Sequence, residues 1–270
     1  MDATINVVLL WLLFGGSHIA LATKRPRAAL VKRFGEWGFI GVFSAVAATT
    51  YALLIHYFAV HRFDGVASLG FSAIPAARWA LFALAVVGAG VMAMALFDYP
   101  ASAYALTAGQ NAYEPGPIAR ITRHGFFSGL GLLAVAHALL ATHLVETVFF
   151  GCLALFAWLG PIHQDAKLVA RRGEAHRRYM AATSTLPFAA IVAGRQRLDL
   201  RAIPLPALIA AVLVPWLLRT VHASIFAAEG AYLIGFTLAG AGAASLQAWR
   251  AQRRVTSHPV GPSAAGRTAR

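Results

Sequence analysis

Apolar residues along this chain come in long, nearly unbroken stretches rather than in the i, i+3, i+4 stripes of a soluble amphipathic helix. Seven can be read, at about residues 5–22, 37–60, 79–97, 126–141, 147–162, 203–218 and 231–249. Each is near the ~20 residues a helix needs to cross a ~30 Å hydrocarbon core. Inside lipid the backbone has no water to bond, so a spanning segment satisfies itself as a helix. The pattern predicts an all-α fold, a polytopic transmembrane bundle of about seven spans. The fourth and fifth stretches form a tight hairpin around residues 142–146, and both look short.

The residues between the stretches orient the bundle. Lys24, Arg25, Arg27, Lys32 and Arg33 fall in one connection, Arg120 and Arg123 in another, and Lys167, Arg171, Arg172, Arg177, Arg178, Arg195, Arg197 and Arg201 in a third. Arg250, Arg253, Arg254, Arg267 and Arg270 follow the last stretch, leaving only Arg62, Arg78 and Arg219 on the other side. By the positive-inside rule the N-terminus is expected outside and the C-terminus in the cytoplasm. Met1-Asp2-Ala3-Thr4 lacks a basic signal-peptide n-region, so the first stretch is expected to remain as a span.

Composition narrows the class further. The chain is 59% hydrophobic and only 12% charged, against roughly 45–50% and ~25% for soluble domains. A soluble globule could not cover that much apolar surface, and an extended disordered chain would collapse. The net charge of +13 sits beside apolar runs, where anionic headgroups account for it without nucleic acid. Cys152 is the only cysteine, which excludes an intrachain disulfide and a cysteine-based metal site.

Ionisable groups inside a span are costly, so each one is a functional candidate. The spans hold almost no carboxylates, which argues against a proton-coupled transporter. They do hold histidine: His18 in the first and His137 in the fourth, with His56 near the outer end of the second. His124 lies at the inner mouth of the fourth, and His163 at the inner end of the fifth. Small residues flank His18 (Gly15, Ala22) and His137 (Ala134, Ala141), which would let either a flat macrocycle or another helix approach. His18 lies about 6 Å from the inner edge of its span and His137 about 17 Å into its own. His124 matches His18 better in depth and competes as its partner. Arg120, Arg123, His124 and Asp165 could hold an anionic head group or line up along lipid phosphates. No phosphate-binding glycine loop, HExxH or GxSxG motif is present.

One short echo occurs: residues 30–36, LVKRFGE, match residues 168–174, LVARRGE, at five of seven positions. Two basic juxtamembrane turns or a duplicated half would both produce it.

A set of segments in order carries a family resemblance: Ser17-His18-Ile19, Arg33-Phe34-Gly35-Glu36-Trp37-Gly38-Phe39, Arg120-Ile121-Thr122-Arg123-His124, Ala136-His137, His163-Gln164-Asp165 and Thr183-Ser184-Thr185-Leu186-Pro187-Phe188. Together they resemble the NnrU family of bacterial membrane proteins, which is similar to zeta-carotene isomerase. The resemblance implies a multi-pass protein of the bacterial inner membrane linked to nitrite and nitric-oxide respiration. It also implies haem b, with axial ligands falling on His18 and His137; with the haem edge facing the cytoplasm, Arg123 or His124 would lie near the propionates. A haem-dependent isomerase of a hydrophobic molecule is the enzyme class it suggests. Two departures stand out: Ala134 replaces a cysteine that the isomerase uses as an alternative ligand, and Gly125 replaces a proline after the Arg-His pair.

The expected organisation is an NnrU-like domain of five spans and a basic segment over 1–200, a helix pair over 201–250, and a disordered basic tail over 251–270. Expected partners are the lipid bilayer, a hydrophobic small molecule and respiratory or denitrification proteins. Arg123-His124 with Gly173-Glu174 and Tyr179 faintly resembles isoprenylcysteine-type methyltransferases. A non-enzymatic assembly partner of a respiratory complex is the third class.

Overall fold

The computed structural model describes residues 2–97 and 115–257. Helix α1 (Ala3–Ala22) starts where the Asp2 carboxylate accepts the Thr4 amide at 2.9 Å, a side-chain cap for an orphan N–H. Thr23 breaks it with extended backbone before α2 (Lys24–His61). Gly35, at φ 72° and ψ 174°, divides α2 into a basic first segment and an apolar remainder. That conformation is essentially restricted to glycine, so the break separates the basic connection from the second apolar stretch. Arg27 closes over it, pairing with Glu36 at 2.7 Å.

Helix α3 (Pro75–Ala95) begins with proline in the first turn, where a missing N–H costs nothing. A short α4 (Pro117–Ile121) leads to α5 (Gly125–Leu140) and α6 (Leu144–Arg172). The expected hairpin lies between the last two. Glu146 accepts the amides of Thr142 and His143 at 3.1 Å each, and Ser68 N donates to Thr142 O at 2.9 Å, strapping the α2–α3 loop to the turn. Beyond Gly173 come α7 (Glu174–Ala182) and α8 (Ala189–Val192), then α9 (Leu205–Val221) and α10 (Ala231–Ser257).

The described residues are all-helical, without a strand. Among the described residues, five helices are long and apolar enough to cross a membrane: Ala3–Ala22, Lys24–His61, Pro75–Ala95, Leu144–Ala170 and Leu205–Ser224. The protein is thus a multi-pass helical membrane protein. The fourth stretch is short as a helix, 16 residues, or about 24 Å by helical rise. The fifth is not short. Helix α6 continues past Pro161 to Arg172, because the residues after the apolar run keep a helical stripe that includes buried Asp165 and Leu168. Helix α10 runs to Ser257, into the segment expected to be a tail; residues 258–270 lie outside the described residues.

Packing explains the order. Helices α1, α2 and α6 share an aromatic core of Val7, Trp11, Leu54, Ile55, Phe58, Val145 and Phe149, in which Phe58 and Phe149 stack at 3.7 Å. Helices α3 and α5 approach backbone to backbone at Gly88 and Gly129. A methyl at Gly129 would come within 2.5 Å of Gly88 O and Met92 N. Leu12, Val87, Leu155, Val212 and Trp216 remain exposed, an apolar exterior that suits lipid rather than water.

Candidate functional site

The residues that turn the chain from α4 into α5 are held by a distant segment. Arg123 N donates to Ser184 O at 2.9 Å, and Phe188 N donates to Ile121 O at 2.8 Å. The buried Thr122 hydroxyl donates to Thr185 O at 2.9 Å and bonds Ser128 Oγ at 2.9 Å. Ser184 Oγ in turn accepts Ala190 N at 3.0 Å. Phe188 adopts a left-handed φ of 64° to make this turn, a strained conformation for a bulky residue. Two motifs sixty residues apart in sequence thereby become one structure.

That structure presents Arg123 and His124 to Asp165 of α6. The Asp165 carboxylate, 4% exposed, accepts Arg123 Nε at 2.9 Å, His124 Nε2 at 3.1 Å and His176 Nε2 at 3.1 Å. A carboxylate this buried requires such pairing. Burial lowers the His176 pKa from its ordinary value, against the raising effect of Asp165. Arg123 spends only its Nε on Asp165, so its terminal Nη groups have no partner among the described residues.

Beside this hub lies a cavity of about 430 Å³, lined in part by His18, Phe43, Phe127, Phe156, His163 and Lys167. Arg123, His124, Asp165, His176 and Tyr179 also border it. Its size falls within the range of small-molecule sites, roughly 300–1,000 Å³. The His18 ring packs on Phe43 at 4.8 Å and Phe156 at 5.9 Å. Two ring nitrogens on this cavity, His18 Nδ1 and His163 Nε2, are buried with no hydrogen-bond partner. An unsatisfied buried group costs about 1–3 kcal/mol, so a pair at one cavity points to a ligand or water that completes them.

The structure thus brings together His18, His124 and Arg123. His137 is not among the residues lining the cavity; it lies in the last turn of α5. Its Nδ1–H donates to Leu133 O at 2.8 Å, which leaves Nε2 with the lone pair in the neutral ring. The His137 ring packs on Phe150 at 4.9 Å and His222 at 5.9 Å. Phe150 precedes Phe156 by six residues on α6, about 9 Å by helical rise, so the two imidazoles differ in depth. His124, the competing partner, has its Nε2 engaged with Asp165. Ala134 is fully buried. Glu174 pairs with Arg177 and Arg178 on an exposed face and does not line the cavity.

Sequence reasoning missed His176 altogether. A signal existed: Asp165 and His176 are eleven residues apart, close to three helical turns, but Gly173 interrupts the helix between them and conceals the shared face.

Fold and cavity together define a class: a polytopic helical membrane protein with an aromatic pocket whose polar wall combines histidine, arginine and a buried aspartate. Within that class the chain belongs to the NnrU family, whose model, described as NnrU protein, matches residues 6–230. It is 30% identical over 196 residues to 15-cis-zeta-carotene isomerase, chloroplastic, of Arabidopsis thaliana, covering 71% of this chain and 52% of that protein. The Zea mays protein of the same description is 28% identical over 200 residues, with 71% and 52% covered. The chain thus spans about half the length of these relatives. No solved structure matches.

Proposed function

We propose that this protein holds haem b and isomerises a hydrophobic substrate taken from the bilayer. The observation that carries the reading is the cavity: aromatic walls, two unpartnered imidazole nitrogens and an arginine on one pocket. These residues fit the group. Phe43, Phe127 and Phe156 suit a flat apolar macrocycle, His18 supplies an imidazole, and Arg123 suits a carboxylate through bidentate contacts. His137 is the second ligand that the family resemblance implies, and its Nε2 lone pair is chemically suited to that role. When bound, haem would supply a one-electron redox centre whose potential depends on its ligands and burial. The chain's residues do the rest: the phenylalanines exclude water, and the Asp165 hub orients Arg123 and His124 at the cavity wall.

The substrate reading is supported by family membership and by the described activity of the relatives. In this proposal α5 and α10 join the five long helices to make seven spans in a bacterial inner membrane, N-terminus outside and C-terminus cytoplasmic. An association with denitrification rests on the family resemblance alone. The test is to incubate the haem-loaded protein in detergent with 15-cis-zeta-carotene and resolve the isomers by chromatography. Conversion that disappears in His18→Ala is expected; a haem-loaded protein that leaves the substrate unchanged contradicts the isomerase assignment.

A further inference from the structure

The cavity has a polar end. Of the described residues that line it, Arg123 and Lys167 are cations and Asp165 is the one carboxylate, which already accepts Arg123, His124 and His176. Cations at this wall therefore outnumber carboxylates two to one, and the wall favours an anionic group. His163 adds a buried Nε2 without a hydrogen-bond partner on the same cavity. A hydrocarbon could answer neither demand, since it has no charge and accepts no hydrogen bond. We infer that His163 and Lys167 of α6, together with Arg123, seat the carboxylate edge of the cofactor, an inference that rests on the haem reading above.

The helix geometry supports it. His163 and Lys167 are four residues apart on α6, so their side chains lie on one face of that helix, one turn apart. Arg123 reaches the same level from the turn between α4 and α5: its Nε donates to Asp165 Oδ2 at 2.9 Å, and Asp165 falls between His163 and Lys167 along the helix. Two segments thus bring three donors to one cavity. With its proton on Nε2, the imidazole donates as the guanidinium and the ammonium do, which suits an acceptor-only carboxylate. The charges of His163 and Lys167 both reach His18, so the seat lies within electrostatic range of that axial imidazole. The rest of the lining is different in kind. Phe43, Phe127 and Phe156 are aromatic, and at Gly160, one turn before His163, a methyl would meet nothing nearer than Phe127 at 3.6 Å. Such a cavity suits a flat apolar body with an acidic rim. His18 and His137 keep the axial positions, and His163 donates to the rim.

The test blocks the carboxylates and leaves the iron alone. Full-length protein from haem-limited cells is purified in detergent and titrated with haemin and with haemin dimethyl ester, in which both carboxylates are esterified. Absorption spectra follow uptake and ligation. Wild type should bind haemin at least ~10-fold more tightly than the ester, the worth of one charge-assisted hydrogen bond. His163→Leu and Lys167→Met should each lose affinity for haemin while keeping their affinity for the ester, and both should retain the wild-type low-spin spectrum. The wild-type comparison needs no substitution, so it decides even where a variant fails to accumulate. Equal wild-type affinity for the two molecules, an equal loss for both molecules in the variants, an unchanged preference in both variants, or a high-spin His163→Leu would overturn the inference while leaving haem binding intact. Wild-type protein that takes up neither molecule would overturn the cofactor reading and this inference with it.

Discussion

Replacing Asp165 with alanine removes the acceptor shared by Arg123, His124 and His176. The carboxylate side chain is 6% exposed and that of Arg123 is 11% exposed, so water cannot readily take over. Breaking a buried ion pair by deleting one partner costs about 3–5 kcal/mol. That is a large share of a typical stability of about 5–15 kcal/mol. At ~2–4 °C per kcal/mol for a chain of 150–250 residues, the melting temperature should fall by roughly 6–20 °C. Asp165→Asn keeps the shape and one acceptor oxygen but loses the charge. Its cost should be smaller, about 1.5–3 kcal/mol, the value of a hydrogen bond to a charged group. Thermal unfolding in detergent, followed by intrinsic fluorescence, measures both. An Asp165→Ala protein within ~0.5 kcal/mol of wild type, the range of a surface substitution, would refute the hub as a structural keystone.

Gly129→Val should destabilise by about 1–3 kcal/mol through overpacking, since its side chain meets the Gly88 and Met92 backbones; Gly151→Ala, with open space around it, should be neutral or stabilising in the same melt. His176, with its pKa lowered in the folded state, contributes stability that is present above the unfolded value of about 6.5 and lost as pH falls through the lower folded value. His176→Phe should therefore flatten the acid side of a melting-temperature profile, and an unchanged profile would exclude His176 as its source. For topology, a C-terminal alkaline phosphatase fusion should be inactive and a fluorescent-protein fusion bright; the reverse would remove the proposed orientation.

Much of the bundle is legible in the sequence because lipid imposes a simple demand, a long apolar run for each helix. All seven apolar stretches coincide with helices of the fold, but among the described residues only five are long and apolar enough to span; α5 and α10 are not among them. The extension of α6 to Arg172 is harder to see, since hydropathy ends at the polar residues while helical periodicity does not. The depth difference between His18 and His137 follows from counting residues, and the structure repeats it in Phe156 and Phe150. The Asp165 hub is of another kind. Its members lie on three segments, and nothing local in residues 120–124 shows that they will pair with residues 183–188. Such convergence is a product of tertiary packing. It also explains why His124, a free candidate in the sequence, is a bound one in the fold.

The central claim, a haem held at the His18 cavity, is tested most directly by the absorption spectrum and pyridine haemochrome of the purified protein beside His18→Ala at equal folded yield. The account predicts stoichiometric haem b in the wild type and its loss, or marked weakening, in His18→Ala. Haem-free wild-type protein from haem-supplemented cells, or an unaltered Soret band in His18→Ala, would contradict it.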